Sequence, residues 1–117
     1  MYGFPEDLTL DDIVGSEIQQ ICLGRGDVQF RFGSHRVICV QSQVEVYDGD
    51  KLVSAWDPRT NWTNGAFQML LMVAIDGYAV LDARLLEISF QGGLRLRLHD
   101  NSAEFESMQI YPEHIVV

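Results

Sequence analysis

The side chains with the chemistry for nucleophilic or acid–base work are His35, His99, His114, Cys22, Cys39 and several carboxylates. Such catalysis needs its partners held within hydrogen-bond reach. His35 and Cys39 lie four residues apart on one face of an expected strand, which holds their side chains too far apart for direct contact. His99-Asp100 falls at an expected strand end, where a turn accounts for the pair. There is no Gly-x-Ser-x-Gly elbow, no phosphate loop and no His-Glu-x-x-His pair. The cysteines and histidines are too widely spaced for a zinc site. No metal or cofactor is expected, and binding is favoured over catalysis. A small hydrolase or isomerase relying on His99 or His114 is the enzymatic alternative.

Cys22 and Cys39 both sit in apolar, strand-like runs. Buried free thiols are the ordinary reading, and a disulfide between neighbouring strands is the other. The N-terminus lacks the basic and apolar segments of a signal peptide. A reducing, cytoplasmic setting is therefore expected. On the same ground Arg25-Gly26-Asp27 and Asn61-Trp62-Thr63 are coincidental matches to an adhesion tripeptide and a glycosylation acceptor.

Charge says more. The 117 residues carry 17 Asp and Glu against 8 Lys and Arg, a net charge of −9. Nucleic acid is excluded as a direct partner, because phosphate binding needs clustered Lys and Arg. The longest apolar run, Met69 to Ile75, is too short to span a membrane. The acids concentrate at the two ends. Residues 1–20 hold five and residues 99–117 hold four, with no base in either, whereas residues 21–98 hold eight of each sign. Termini that meet on the surface would form one acidic face, suited to a basic partner. Acidic ends that only aid solubility are the plainer reading. Trp56 and Trp62 bracket an irregular loop, with Tyr47 nearby in sequence. Loop aromatics serve as binding anchors or fold back onto the core.

The elements that would position these residues are mostly strands. Val28, Phe30 and Phe32 alternate with Gln29 and Arg31, the period of a half-buried strand. Pairing Leu23 with Val28 and Ile21 with Phe30 leaves residues 24–27 as a hairpin loop. Strand segments follow over 36–41, 43–47 and 52–56, with Asp48-Gly49-Asp50 as a turn. Pro58, two Asn and Gly65 break regular structure over 57–65. Ala66 to Asp76 predicts the one main helix, capped by Thr63 or Asn64, closed by Gly77 and buried against the sheet. Near the end a three-residue loop, Gln91-Gly92-Gly93, pairs Ile88 with Leu96, Leu86 with Leu98 and Glu87 with Arg97, with Gly93 left-handed. Residues 105–110 and 114–117 read as closing strands. In the lead-in, Leu10, Ile13 and Val14 have the spacing of a short helical turn, capped by Thr9 or Asp11.

The order of several pieces carries a resemblance. Met1-Tyr2-Gly3-Phe4-Pro5 opens the chain, and a short lead-in runs to Val14-Gly15. The strand Val28 to Phe32 follows, then Leu86-Glu87-Ile88-Ser89-Phe90 with its Gly turn and Leu94-Arg95-Leu96, then Phe105 to Ile110. This resembles a family of small bacterial domains of unknown function, akin to immunity-type proteins that neutralise toxins. The resemblance covers most of the chain and supplies no catalytic residues; the Met-rich run 66–76 departs from it.

The expectation is one α+β domain over 1–117. Its sheet is curved and mostly antiparallel, of about seven to nine strands, with a partial barrel as a variant and one main helix. The expected function is that of a bacterial immunity protein that binds and blocks a basic toxin domain, a nuclease for instance. Asp7, Asp11, Asp12, Asp100, Glu104 and Glu106 would attract it, and Tyr47, Trp56 and Trp62 would anchor it. The other reading is a small-molecule or peptide-binding module with a pocket between sheet and helix.

Overall fold

A computed structural model describes residues 3–101 and 107–117. Eleven strands appear among these residues: β1 (Ile18–Leu23), β2 (Val28–Phe32), β3 (Val37–Val40), β4 (Val44–Asp48), β5 (Lys51–Asp57), β6 (Asn61–Trp62), β7 (Ile75–Asp82), β8 (Leu85–Phe90), β9 (Leu94–His99), β10 (Met108–Tyr111) and β11 (Ile115–Val116). They form two sheets with every strand pair antiparallel. One has the order β1-β2-β3-β10-β11 and the other β6-β5-β4-β9-β8-β7. The sheets remain separate and do not close into a barrel.

Period-two alternation explains the layering. Val28, Phe30 and Phe32 of β2, Ile38 and Val40 of β3, and Met108 and Ile110 of β10 are buried from one sheet. Val44, Val46 and Trp56, with Leu86, Ile88, Leu96 and Leu98, are buried from the other. Together they make one continuous core that runs from Phe4 to Val117. The two hairpins have the expected registers. Leu23 pairs with Val28 and Ile21 with Phe30. Ile88 pairs with Leu96, Leu86 with Leu98 and Glu87 with Arg97. Gly93 is left-handed (φ 98°), and so is Gly92 (φ 86°), which completes the tight three-residue connection.

The expected main helix is corrected. The longest helical stretch among the described residues is a six-residue 3-10 turn, Gly65–Leu70. Asn64 does cap it, its side chain accepting from the Ala66 N–H (2.8 Å). After Leu71 the backbone turns to other partners. The Met72 N–H donates to the Ile18 carbonyl (3.0 Å), the Ile75 N–H to the Ser16 carbonyl (2.9 Å), and the Gly15 N–H to the Ile75 carbonyl (2.8 Å). Met72 itself is left-handed (φ 64°), which no helix admits. Gly77, expected as a helix cap, lies inside β7 at a shift of register. Tertiary pairing has overridden the helix preference of Ala, Gln, Met and Leu. Three smaller points also differ. The irregular loop contains β6. No side chain caps the 3-10 turn Asp11–Ile13. The expected start of a strand at Phe105 lies outside the described residues.

Candidate functional site

The two acidic ends meet at Arg36. Its guanidinium is 5% exposed and lies between Asp12, from the lead-in, and Glu113, from the β10–β11 turn. Nη2 approaches Asp12 Oδ1 at 2.7 Å, and Nη1 approaches Glu113 Oε1 at 2.8 Å. The Ser34 hydroxyl donates to Asp12 at 2.9 Å. Arg36 holds the Asp12 carboxyl below its ordinary value of 3.8 and Glu113 below 4.5. Burial opposes this at both, and the hydrogen bonds to the guanidinium outweigh it. A depressed carboxyl stabilises the fold fully above its ordinary value and loses that contribution as pH falls through its value in the folded state. Arg36→Met is therefore expected to lower the Tm at neutral pH, and the gap to wild type should narrow as pH falls below about 4. Melting curves of the two proteins across acid pH check this; a gap that is constant with pH would refute it.

The sites expected from sequence separate into three groups. Asp7, Asp11 and Asp12 are exposed on the lead-in. Asp11 accepts from the Tyr78 hydroxyl (2.7 Å), which fastens the lead-in to β7. Asp100 is corrected: it is 1% exposed and structural, accepting from the Gly3 N–H (3.0 Å), from Arg84 Nη1 (3.2 Å) and from the Ser107 hydroxyl. Glu104 and Glu106 lie outside the described residues.

The aromatic anchors are corrected in part. Trp56 is 2% exposed and belongs to the core, because β5 turns that face inward. Trp62 is half-buried and stacked on Phe67, ring centroids 4.2 Å apart. Tyr47 is half-buried on the outer face of the larger sheet, with the Arg97 guanidinium 4.7 Å above its ring. Arg97 also reaches Glu87 (2.8 Å), and His99 Nε2 lies 2.6 Å from Glu45 Oε1. This face compensates its own charges.

The thiols are placed without a nucleophile's surroundings. Cys22 and Cys39 both pair with Gln29, on either side of β2, so two strand spacings separate them, about 10 Å. Such a distance excludes the disulfide. Burial, with Asp27 at 3.3 Å, pushes the Cys39 thiol up to about 11. His35, exposed in the β2–β3 turn, borders an open concavity of about 250 Å³ with Gln19, Gln20, Arg31 and Arg36. It lies on the smaller sheet, and the expected pocket between sheet and helix has no helix to form it. Among the described residues no three His, Cys, Asp or Glu side chains group as metal ligands, and no helix is long and apolar enough to cross a membrane.

A feature missed in the sequence emerges from the packing. Residues 14–18 run beside residues 71–75 along the seam between the sheets, with Glu17 paired to Ala74 and Ile18 to Leu71. Residues 1–24 hold five acids and residues 60–83 hold two, and neither stretch has a Lys or Arg. Within this seam Val14 (45%), Met69 (45%) and Met72 (61%) are exposed. The lack of bases over 60–83 was visible in the sequence, but its proximity to the lead-in was not. No protein-family model, no curated protein and no solved structure matches the chain.

Proposed function

We propose that this chain is a bacterial immunity protein, which binds and blocks a basic toxin domain. The observation that supports the reading is the segregation of charge. Two stretches with seven acids and no base lie side by side along the seam, with exposed apolar side chains between them. Such a surface attracts a cationic protein and excludes polyanions. A nuclease fits this chemistry, because its own surface must be basic to hold phosphate. The resemblance to toxin-neutralising proteins points the same way. The attracting residues are Asp7, Asp11, Glu17 and Asp76, since Arg36 already neutralises Asp12 and Asp100 is buried.

The test is co-expression with the product of the reading frame next to this chain's gene. Rescue of growth is expected, with a complex that salt dissociates. Neutralising Asp7, Asp11, Glu17 and Asp76 together to Asn or Gln is expected to slow association about tenfold and flatten its dependence on salt. An unchanged association rate would overturn the electrostatic part, and absence of rescue would overturn the immunity reading.

A further inference from the structure

The two sheets have four outer edges. β6 and β11 are two residues long and offer little to pair with. β7 is met by the lead-in at its two ends and through the Tyr78 side chain. The Phe4 N–H donates to the Ala83 carbonyl (2.8 Å), Tyr78 bonds Leu10 and Asp11, and Ile75 bonds Gly15 and Ser16. β1 is different. Its first residue is met from outside by Leu71 and Met72, but from Gln19 to Leu23 no strand among the described residues pairs with its outer side.

The backbone phase of that edge follows from the hairpin. The Gly24 N–H donates to the Asp27 carbonyl (3.0 Å), so residues 24 and 27 form a hydrogen-bonded pair. Antiparallel pairs alternate, so Cys22 and Gln29 form the next such pair, and Ile21–Phe30 and Leu23–Val28 are the wide pairs between. The other side of β2 agrees: the Phe32 N–H donates to the Arg36 carbonyl, which makes Phe30–Ile38 a bonded pair toward β3. Ile21 and Leu23 therefore turn their N–H and C=O groups away from β2, toward the open edge.

Natural sheets guard open edges with Lys, Pro, inward-pointing charges or a covering segment. Gln19-Gln20-Ile21-Cys22-Leu23 has no charge and no proline. Its ends are marked by exposed apolar side chains, Met72 (61%) beside Ile18 and Leu23 (63%) at the hairpin. We propose that this edge of β1 receives an extended, Lys- or Arg-bearing segment of the partner as an added strand. Main-chain bonds to Ile21 and Leu23 would supply the affinity, and alternate side chains would supply the specificity. The inference rests on the basic partner proposed above and specifies how that partner is held. Charge decides between occupants: Arg25 and Arg31 stand on the same hairpin, but the chain as a whole carries −9, so a basic segment is attracted while a second copy would bring −9 against −9.

The probe is a capped nine-residue peptide of alternating lysine and valine, compared with one carrying proline in place of its central valine. The charge is the same and only strand pairing differs. The alternating peptide is expected to bind about tenfold more tightly and to slow hydrogen exchange at the Ile21 and Leu23 amides. Leu23→Pro removes an outward N–H that β2 does not use, so the Tm should hold while the tenfold preference disappears. Leu23→Lys keeps the N–H but adds a repelling cation; it should weaken the alternating peptide, and it decides the matter where the proline variant fails to fold. Equal binding of both peptides, unaffected by either variant, would overturn strand addition and leave the acidic-surface reading standing. No binding of either peptide at low salt would overturn both. Protection of the same amides by dimerisation without peptide would overturn the inference in favour of a second copy.

Discussion

Trp56→Ala is expected to remove about 4 kcal/mol of stability, the usual range for a large aromatic truncated in a core. The Tm would fall by about 15 °C for a domain of this size. Association of the folded fraction with a basic partner should not change. Trp56 is 2% exposed and pairs with Val44 on one side and Trp62 on the other, near the end of β5. Its side chain belongs to the core shared by the two sheets. Trp56→Phe keeps most of that volume and should lose much less. Trp62→Ala should also be milder, since Trp62 is half-buried in the two-residue edge strand β6. Urea titration of the three variants, with association rates measured alongside, separates packing from recognition. A Trp56→Ala protein of near wild-type stability that fails to bind would restore the tryptophan to the interface.

Trp56 also marks where reading from sequence stops. Alternation is a local signal, so both hairpins and their registers were legible: a one-residue slip would have placed Val28 and Phe30, or Leu96 and Leu98, in water. The Ala66–Asp76 run was apolar all round, and such a run does not distinguish a buried helix from strand and loop. What decided it was distant, namely the carbonyls of Ser16 and Ile18 and the partner strand β8. Long-range pairings such as β3 with β10 and β4 with β9 leave no local trace either. The concentration of acids at both ends was plain in the composition. That Arg36 would bind one acid from each end was not, because nothing in Arg36's own neighbourhood distinguishes it from Arg31. The acids of the site were thus legible as a set, while their division into free, neutralised and buried members required the fold.

Asp100 illustrates that division most sharply, and Asp100→Ala is expected to destabilise the protein by about 3 kcal/mol. The carboxylate joins three segments: Gly3 at the start of the lead-in, Arg84 in the β7–β8 turn, and Ser107 ahead of β10. Arg84 is 56% exposed, so water can replace its partner, and that ion pair should contribute little. The Gly3 N–H and the Ser107 hydroxyl are buried and would be left without an acceptor, at about 1–3 kcal/mol each. The consequence extends beyond stability. Gly3 is followed by Phe4, which is 5% exposed in the core, so the carboxylate helps to seat the lead-in that carries Asp7 and Asp11. Asp100→Ala should therefore increase proteolytic cleavage within residues 3–13 well before global unfolding, whereas Arg84→Ala should not. Asp100→Asn keeps an acceptor for one of the two buried donors and should fall between wild type and the alanine variant. Denaturation and limited proteolysis of the three proteins test the order; a stability loss as large in Arg84→Ala as in Asp100→Ala would show that the ion pair, and not the two buried hydrogen bonds, holds this junction together.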